Sequence, residues 1–485
     1  MNTAEKRFAI IGAGMSGILC AIKLKEAGHK HIAVYEKADR IGGTWRDNRY
    51  PGLTCDVPAH AYTYEFAPNP EWSAYLVGGD EIQTYFEKVV DDYGIRPLIR
   101  FNSEIASMTW NNDHWQIETA DGHKDTAHVA IMATGVLHHP KFPDIPGLEN
   151  FAGRTMHSAQ WDVDFPLDGK RIGVVGNGST GVQIVTHLGT AGQDIVHFQR
   201  SPQWMMPYPN FAYTEEDKAR FRKSVEAIDA IRYDETYWSN IRRFTTGITD
   251  INGPQMQEIE DACRVFLETA ITDPVLRSKL TPNYRAACKR LIYSYDYYGV
   301  AQQPNVETIV CGIREVVPEG VIDNEGVLHK LDVLALATGF RTDRFVRPIS
   351  VKGIGGRDIE EAWAERCCAY MAISIPDFPN FFLFNGPSSP VGNFSLIDVA
   401  ERQWNYVAQL LDRVSSSNAS GIVASQAAFN DYEDRRIAAA KATIFGSGCT
   451  SWYLDQTGVP ITWPWDYDAF AKAMEKPEFD AYDMV

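Results

Sequence analysis

The pattern of apolar and polar positions at the start of the chain predicts a strand, a helix and a second strand in close succession. The stretch RFAIIGAGMSG joins a buried-strand pattern to a glycine turn, and the helical sequence ILCAIKLKEAG and the strand HIAVYEK follow it. In such a βαβ unit Gly12 allows the tight turn, Gly14 lets a pyrophosphate approach the helix N-terminus, and Gly17 lets helix and strand pack closely. Glu36 ends the second strand, where a carboxylate can bind a ribose hydroxyl. We therefore predict a dinucleotide site here, in preference to a merely structural glycine turn.

The same pattern recurs in KRIGVVGNGSTGVQIVTHLGTAGQDIVHFQR, which again predicts strand, glycine turn, helix and strand. Its turn contains Gly176, Gly178, Ser179, Thr180 and Gly181. Two such units imply two dinucleotides. The second unit ends in Arg200 and Ser201, where the first has Glu36. Because a cation suits a 2′-phosphate and an acid repels it, we expect NADPH rather than NADH at the second site. The alternative for Arg200 is a solvated surface charge.

A second glycine-containing loop, within RIGGTWRDNRYPGLTCDVPAHAYTYEF, follows the first unit and is placed to approach a flavin from the other side. From this segment we assign to the first site Gly43, Thr44, Trp45 and Tyr62. Two later strands, AIMATG and VLALATGF, end in small-residue turns at Gly135 and Gly339, which are typical of crossings between nucleotide-binding domains. The sequence resembles the two-dinucleotide flavoproteins, in which the first domain holds FAD and the second NADPH. The absence of a CxxxxC pair argues against the disulfide-reductase branch.

The order of these motifs predicts an α/β fold with two Rossmann-like dinucleotide-binding domains, for FAD and NADPH, and a helical insertion. The insertion is rich in charge and helical periodicity and lacks glycine motifs, so it either shapes substrate access or is a surface element. The expected segments are 1–140 and 341–485 for the FAD-binding domain with a C-terminal mobile loop, 141–210 and 290–340 for the linker and NADPH-binding domain, and 211–289 for the insertion.

Charge and cysteine usage limit the classes of function. The net charge of -17 is spread along the chain, and no segment concentrates Lys and Arg as a nucleic-acid-binding face would. No apolar run approaches the roughly 20 residues of a membrane span. The eight cysteines are scattered without zinc-ligand spacing, which indicates reduced thiols in a cytoplasmic protein. We therefore predict no nucleic-acid partner, no membrane span and no metal, and leave the oligomeric state open, a monomer included.

The stretch FAGRTMHSAQWD, just ahead of the second glycine motif, resembles the FxGxxxHxxxW(P/D) fingerprint of type I Baeyer–Villiger monooxygenases. The matching positions are Phe151, Gly153, His157, Trp161 and Asp162. Related flavin-containing N- and S-oxygenases have a similar motif without the Trp. The resemblance implies that this stretch links the two domains and that His157 is a hinge or interdomain hydrogen-bonding residue. A core aromatic cluster with a satisfied His is the alternative.

The resemblance extends over nearly the whole chain. RYPGLTCD is similar to the family's loop beside the flavin and puts Asp56 at the position of an acid near the isoalloxazine, although Thr54 stands where an Arg is common. ACKRLIYSYDYYGVAQQPNV resembles the segment with the active-site arginine, which implies that role for Arg290 and a contact to the NADPH 2′-phosphate for Lys289. GCTSWYLDQTGVPITWPW resembles the mobile loop over the cofactor, with Trp452 at its aromatic anchor.

The function that this resemblance implies is insertion of one oxygen atom of O2 next to the carbonyl of a small-molecule ketone, giving an ester or lactone. NADPH would reduce FAD, and O2 would form a C4a-peroxide that attacks the ketone to give a tetrahedral adduct. Arg290 is the expected stabiliser of the negative charge, and Asp56 would orient it. The alternative for these two residues is a structural ion pair or two unrelated surface charges. The alternatives for the protein are an N- or S-oxygenase, with sulfoxidation possible as a side activity, and a catalytically silent flavoprotein.

Overall fold

The computed structural model of the chain describes residues 5–390, 392 and 394–485. Its strands begin with β1 Arg7–Ile11, β2 His31–Tyr35, β3 Ile99–Arg100, β4 Ile105–Asn111, β5 His114–Thr119, β6 Lys124–Ala127, β7 Val129–Met132, β8 Arg154–His157, β9 Arg171–Val175 and β10 Asp194–Gln199. They continue with β11 Met205–Met206, β12 Ile292–Tyr293, β13 Val306–Val310, β14 Ile313–Val317, β15 Gly320–Asp323, β16 Leu328–Lys330, β17 Val333–Leu336, β18 Ser350–Lys352, β19 Phe381–Leu383, β20 Ile422–Ala424 and β21 Tyr482–Met484.

The α-helices of the described residues connect and cover these strands. The first seven are α1 Met15–Glu26, α2 Thr44–Asp47, α3 Gly79–Asp92, α4 Ser179–Thr190, α5 Glu215–Lys223, α6 Val225–Arg232 and α7 Glu235–Thr249. They are followed by α8 Pro254–Ala270, α9 Pro274–Leu280, α10 Tyr297–Val300, α11 Ile359–Ala362, α12 Leu396–Ser415, α13 Gln426–Ala442 and α14 Tyr467–Ala473. None of these helices is long and apolar enough to cross a membrane.

Two parallel sheets of five strands form the framework of the protein. The first has the strand order β19-β7-β1-β2-β3, and the second has the order β13-β10-β9-β17-β8. All neighbouring strands in both sheets run parallel. β7 and β17 are buried at every position, as expected for parallel strands that are covered on both faces. The predicted α/β fold class with two Rossmann-like domains is confirmed.

The chain leaves the first sheet, completes the second and then returns. β8, which carries the fingerprint histidine, lies at the edge of the second sheet beside β17. β19 comes after every strand of the second sheet in sequence, yet it pairs with β7 in the first. This interleaving agrees with the predicted order of segments, whose boundaries remain predictions.

Helices α5 to α9 occupy the segment predicted as an insertion and pack onto two different cores. Tyr237 and Ile241 on α7 join the core of the first sheet. Phe244 on the same helix joins a smaller cluster with Ile444 and Phe445 from the C-terminal part of the chain. The insertion therefore contacts the elements that follow it in sequence.

One pair of cysteines contradicts the expectation of reduced thiols. Cys288 and Cys449 form a disulfide with a Cα–Cα distance of 6.0 Å, although 161 residues separate them in sequence. The spacing of cysteines along the chain does not predict this pair, because only the tertiary fold brings the two segments together. The remaining cysteines are free, as expected. The predicted cytoplasmic location loses this part of its argument and stays a prediction.

Both glycine turns rest on the same close approach between helix and strand. Gly12 and Gly176 adopt φ values of 105° and 109°, a region that favours glycine. A Cβ on Gly17 would overlap the carbonyl oxygen of Gly12, and a Cβ on Gly181 would overlap that of Gly176. The repeated glycines therefore fix how closely α1 and α4 sit against the turns that precede them.

We expect Gly181→Ala to lower the free energy of unfolding by about 3 kcal/mol, because the added methyl must displace backbone. Gly178→Ala is the matched control: its Cβ would meet nothing within 4 Å, so its cost stays below about 1 kcal/mol. Urea denaturation of both variants measures the difference. Equal stability of the two variants would contradict the packing argument.

A buried histidine adds a pH dependence to the second turn. The His197 Nε2 lies 3.0 Å from the Gly176 carbonyl oxygen, and burial lowers the pKa of His197 to about 4. Its pKa in the unfolded chain is near 6.5, so the unfolded state binds the proton first and stability is lost as pH falls through the interval from 6.5 to 4. The loss attributable to His197 is about 2 kcal/mol at pH 5.

Urea denaturation between pH 7.5 and pH 5 tests this contribution. In His197→Gln, which keeps a hydrogen-bond donor, the decline in stability should be smaller by that amount than in the natural chain. His31→Gln, on the exposed strand end, is the control and should follow the natural chain. Parallel declines in the natural chain and His197→Gln would show that His197 does not titrate as stated.

Candidate active site

A cavity of about 1560 Å³ runs along the carboxyl ends of β1 and β9, where both glycine turns lie. Ligands of doubly wound α/β proteins bind at this end of the sheet. The predicted site residues that line it are Gly12, Gly14, Glu36, Gly43, Thr44, Trp45, Asp56, Tyr62, Gly176, Gly178, Ser179, Thr180, Arg200, Ser201, Lys289, Arg290 and Trp452. Gly17 and Gly181 instead support the two turns from behind. The structure thus brings residues from both motifs, the second loop and the C-terminal segment around one space.

Glu36 makes more hydrogen bonds within the protein than the sequence indicates. Its Oε2 accepts a hydrogen bond from Ala13 N at 2.8 Å, and its Oε1 accepts bonds from Ala38 N and Arg46 Nη1, both at 2.9 Å. The Glu36 and Arg46 side chains are only 5% and 7% exposed, so this ion pair ties the first turn to α2. A carboxylate offers about four acceptor positions. Oε2 therefore keeps an acceptor position for the ribose hydroxyl, and the contact with the ribose stays a prediction.

The second loop closes the first site from the opposite side. A Cβ on Gly43 would lie 3.3 Å from the Cα of Gly14, so the two loops approach each other backbone to backbone. Trp45 Nε1 donates to the Tyr62 hydroxyl at 3.0 Å, and their rings meet edge to face at 5.6 Å. Neither α1 nor α4 has a side-chain cap at its N-terminus. Their free N–H groups are suited to the pyrophosphates of two dinucleotides.

Polar and cationic groups meet where β10 ends. Lys289 Nζ lies 3.4 Å from Ser201 Oγ and 4.1 Å from the ring centroid of Tyr284. Asn177 Nδ2 donates to the Ser201 carbonyl oxygen at 2.7 Å and so fixes this segment. Burial and the nearby charge of Arg200 lower the pKa of Lys289. A phosphate bound between these two cations would relieve their repulsion. This arrangement supports the 2′-phosphate site, which stays a prediction.

Asp56 and Arg290 form an ion pair in the cavity wall across 234 residues of sequence. Arg290 Nη2 donates to Asp56 Oδ2 at 2.7 Å, and the side chains of Arg290 and Asp56 are 20% and 25% exposed. Arg290 Nη1 donates to the Gly392 carbonyl oxygen at 2.9 Å. Burial lowers the pKa of Arg290, but the charge of Asp56 and the Tyr453 side chain outweigh it and raise the pKa above its usual value. The guanidinium therefore stays charged at any pH at which the protein is folded.

The C-terminal loop completes the cavity. Its lining residues are Thr450, Ser451, Trp452, Ile461 and Thr462. Trp452, which the resemblance makes the aromatic anchor, is 42% exposed, whereas Tyr453 is 1% exposed and interacts with Arg290. The two rings lie 4.3 Å apart. Tyr453 is thus the buried side chain of this loop, and the contact of Trp452 with the cofactor stays a prediction.

Most of the fingerprint packs inside the second domain. Phe151 belongs to a core cluster of that domain, and a Cβ on Gly153 would overlap a backbone carbonyl oxygen and approach the Phe151 ring. Trp161 packs at the edge of the neighbouring cluster, and Asp162 pairs with Arg154 at 2.7 Å. None of these four fingerprint residues lines the cavity, so their observed contacts are structural.

His157 lies where the two crossing segments between the domains meet. Lys141 N donates to the Gly339 carbonyl oxygen at 2.9 Å, and Thr338 Oγ1 donates to the Lys141 carbonyl oxygen at 2.6 Å. The His157 side chain is buried, and its ring centroid is 5.2 Å from that of Phe142. Burial lowers the pKa of His157, and its Nδ1 accepts a hydrogen bond from Ala159 N at 3.1 Å. These contacts support the proposed hinge role.

An interdomain bridge through Gln183 is not apparent from the sequence. Gln183 Nε2 donates to the carbonyl oxygen and the Oγ1 of Thr54 at 2.9 and 3.1 Å, and Tyr50 OH donates to Gln183 Oε1 at 2.8 Å. Gln183 lies on α4 of the second domain, whereas the other two residues precede Asp56 in the first. The position at which an Arg is common in the family thus holds a threonine that joins the two domains.

These features define a class of protein. The protein has two parallel sheets with equivalent glycine turns, and both turns open on one cavity that also holds a permanent cation. This is the architecture of an oxidoreductase with two dinucleotide sites. Within the described residues no group of three or more His, Cys, Asp or Glu side chains is placed to hold a metal ion.

Comparisons with known proteins identify the family. A family model described as pyridine nucleotide-disulphide oxidoreductase matches residues 9–271. A Baeyer–Villiger monooxygenase of Streptomyces coelicolor is 36% identical over 484 residues, 99% of this chain and 92% of the relative. An FAD-binding monooxygenase of Aspergillus terreus is 32% identical over 471 residues, 93% and 83% of the two chains. The crystal structure of cyclohexanone monooxygenase from Rhodococcus sp. Phi1 bound to NADP+ superposes with a TM-score of 0.85 at 28% identity, covering 99% of each chain.

The chain belongs to the Baeyer–Villiger monooxygenases, within the broader pyridine nucleotide-disulphide oxidoreductase family. The resemblance drawn from the fingerprint and the expectation of a flavin monooxygenase are confirmed. The lack of a CxxxxC pair remains the feature that separates this chain from the disulfide reductases after which the broader family is named.

We expect Lys289→Ala to raise the KM for NADPH by about 10- to 100-fold, because a charge-assisted contact to phosphate contributes about 1.5–3 kcal/mol. The KM for NADH should hardly change, since NADH lacks the 2′-phosphate. Steady-state kinetics with both nucleotides provide the measurement, and the exposed Lys330→Ala is the control. Equal increases in the two KM values would argue against a 2′-phosphate contact.

Proposed function

We propose that this protein oxygenates small-molecule ketones to esters or lactones, with FAD in the first site and NADPH in the second. The Asp56–Arg290 ion pair carries the proposal, because it sets a permanent cation in the wall of a cavity shared by both glycine turns. The Aspergillus terreus relative is an FAD-binding monooxygenase, and the Rhodococcus cyclohexanone monooxygenase was solved with NADP+ bound. When bound, these groups supply the activated oxygen and the hydride.

The lining residues fit both cofactors. At the first site, Glu36 retains acceptor capacity and the N-terminus of α1 is uncapped. Asn385 Oδ1 and Ser388 Oγ are buried in the same cavity wall without a hydrogen-bond partner in the described structure, so they are available to a bound group. At the second site, Arg200 and Lys289 supply positive charge. Polar atoms that burial would otherwise leave unsatisfied thus face the space that the cofactors need.

Arg290 is the residue that we assign to stabilisation of negative charge on the substrate oxygen. Of the five N–H groups of a guanidinium, one on Nη1 and one on Nη2 are used by Gly392 and Asp56, and the Tyr453 side chain interacts with the same group. Others remain to bind an oxygen in the cavity. The carboxylate of Asp56 holds the guanidinium plane and keeps its pKa high. A fixed donor of this kind stabilises charge that develops during the reaction without having to reorganise. The finer oxygenation steps expected from the resemblance stay predictions.

Product analysis of the natural chain tests the proposal. The protein is supplied with FAD, NADPH, cyclic, aryl and linear ketones and an aryl methyl sulfide, while NADPH consumption is recorded. Esters or lactones are the expected products, and sulfoxide is an accepted side product. Sulfoxide alone would favour the N- or S-oxygenase alternative. Bound FAD without NADPH-dependent oxygen uptake would favour the catalytically silent flavoprotein.

Arg290→Ala is expected to lower kcat for ketone oxygenation by about 100- to 1000-fold, because it removes the charged donor from the cavity. Reduction of the bound FAD by NADPH, followed anaerobically through the flavin absorbance, should continue. Arg290→Lys should recover only part of kcat, since an ammonium keeps the charge but loses the planar fork.

The control for this substitution is Arg264→Ala, which removes an exposed arginine from α8 whose partners are surface carboxylates. It should retain the kcat of the natural chain. Full ketone turnover by Arg290→Ala would remove the role assigned here, and loss of FAD reduction together with ketone turnover would point to a cofactor-binding role instead.

A further inference from the structure

The disulfide between Cys288 and Cys449 joins two segments that both line the cavity. Cys288 directly precedes Lys289 and Arg290, and Cys449 directly precedes the lining residues of the C-terminal loop. Cys288 is 1% exposed, whereas Cys449 is partly exposed. The bond therefore ties the segment that carries Lys289 and Arg290 to the loop that closes the site, and one of its two residues is partly exposed.

Few other contacts tie the beginning of this loop to the rest of the protein. The backbone N–H groups of Tyr453 and Leu454 bond to Ser451 within the loop. Further along, Asp455 pairs with the largely buried Arg366 at 3.5 Å. Around Cys449, the contacts described are the disulfide, a 3.3 Å contact between Cys288 Sγ and Ser447 Oγ, and the side chain of Tyr453, which lies against Phe445 and interacts with Arg290. If the disulfide were broken, the first part of the loop would be held by the Tyr453 side chain and by the contact between Ser447 and Cys288.

The backbone before Cys288 also depends on its surroundings. Ala287 adopts a φ of 61°, in the left-handed region that is unfavourable for a residue with a Cβ. Ala286, Ala287 and Cys288 are buried in one cluster with Phe445 and Tyr453. A strained residue persists where packing and cross-links hold it in place. The disulfide is therefore well placed to influence the segment that presents Arg290.

We propose that Cys288 and Cys449 are a redox modification site that controls the mobility of residues 450–462. Hydrogen peroxide is the oxidant. The Cys449 thiolate attacks a peroxide oxygen, so that an S–O bond forms, the O–O bond breaks and one water leaves. The Cys288 sulfur then attacks the Cys449 sulfur, an S–S bond forms, the S–O bond breaks and a second water leaves. Two thiols lose two electrons and two protons, and one peroxide becomes two waters.

The oxidised pair holds the loop against the Arg290 segment, and the reduced pair releases it. Since Trp452 and Thr450 lie within three residues of Cys449, release widens the access to the cavity. A dithiol or phosphine reductant reverses the modification by attack at the sulfur of the partly exposed Cys449. Thiol state and loop mobility are measured without turnover, so this inference stands or falls independently of the proposed function.

The test uses the full chain with FAD bound. Non-reducing peptide mapping by mass spectrometry should identify the Cys288–Cys449 peptide after treatment with hydrogen peroxide and its loss after treatment with a phosphine. Hydrogen exchange of residues 450–462 should become at least about fivefold faster on reduction, as expected when a local restraint is removed. Exchange in β1 and β9 should not change.

Cys449→Ser is the variant of choice, because its side chain is partly exposed, and it should show the fast exchange with or without reductant. Cys367→Ser, which removes a free, partly exposed cysteine outside the cavity, should respond to reductant like the natural chain. Free thiols at Cys288 and Cys449 after peroxide treatment would overturn the proposal. The proposal would also be overturned if reduction of the disulfide left the hydrogen exchange of the loop unchanged. That measurement uses the natural chain and does not depend on the folding of a variant.

Discussion

The ion pair between Arg290 and Asp56 is the interaction on which the centre of the molecule depends. A partly buried guanidinium without a partner is costly, and removal of one partner leaves the other charge uncompensated. Here a carboxylate from the first domain, a backbone carbonyl at Gly392 and the Tyr453 side chain surround the same cation. Three distant parts of the chain therefore meet at Arg290. The same residue places a permanent positive charge in the cavity wall.

Sequence patterns predict what is local in this protein. Both glycine turns follow from short motifs, because a positive φ and a close helix approach are requirements of a few consecutive residues. Asp56 and Arg290 were assigned through family resemblance, and the structure brings them to 2.7 Å. The partners of Glu36, the bridge through Gln183 and the disulfide were not predicted, since each pairs residues whose proximity exists only in the folded chain. Which aromatic residue anchors the C-terminal loop depends on burial. The sequence does not show whether Trp452 or its neighbour Tyr453 is the buried one.

The two domains meet through contacts that differ in kind. The crossing segments pair backbone to backbone at Lys141 and Gly339, and His157 packs beside them. The Gln183 bridge is made of side chains and polar contacts only. Backbone pairing at a crossing resists separation but tolerates rotation, whereas side-chain bridges break and form readily. The hinge role predicted for His157 and the side-chain contact at Gln183 are both compatible with movement of the two domains.

The charge distribution explains why cations are concentrated at the second site. The chain carries a net charge of -17, which disfavours the approach of an anionic dinucleotide at long range. Such repulsion between exposed charges is screened within roughly 8 Å at physiological salt. Binding must therefore be decided by short-range contacts inside the cavity. Burial and the nearby charge of Arg200 both lower the pKa of Lys289. A 2′-phosphate bound between these two cations would attract both of them. The first site differs, because Glu36 and Asp47 share the single cation Arg46 there. Charge at that site does not favour a phosphate, and Glu36 is suited to accept a hydrogen bond instead.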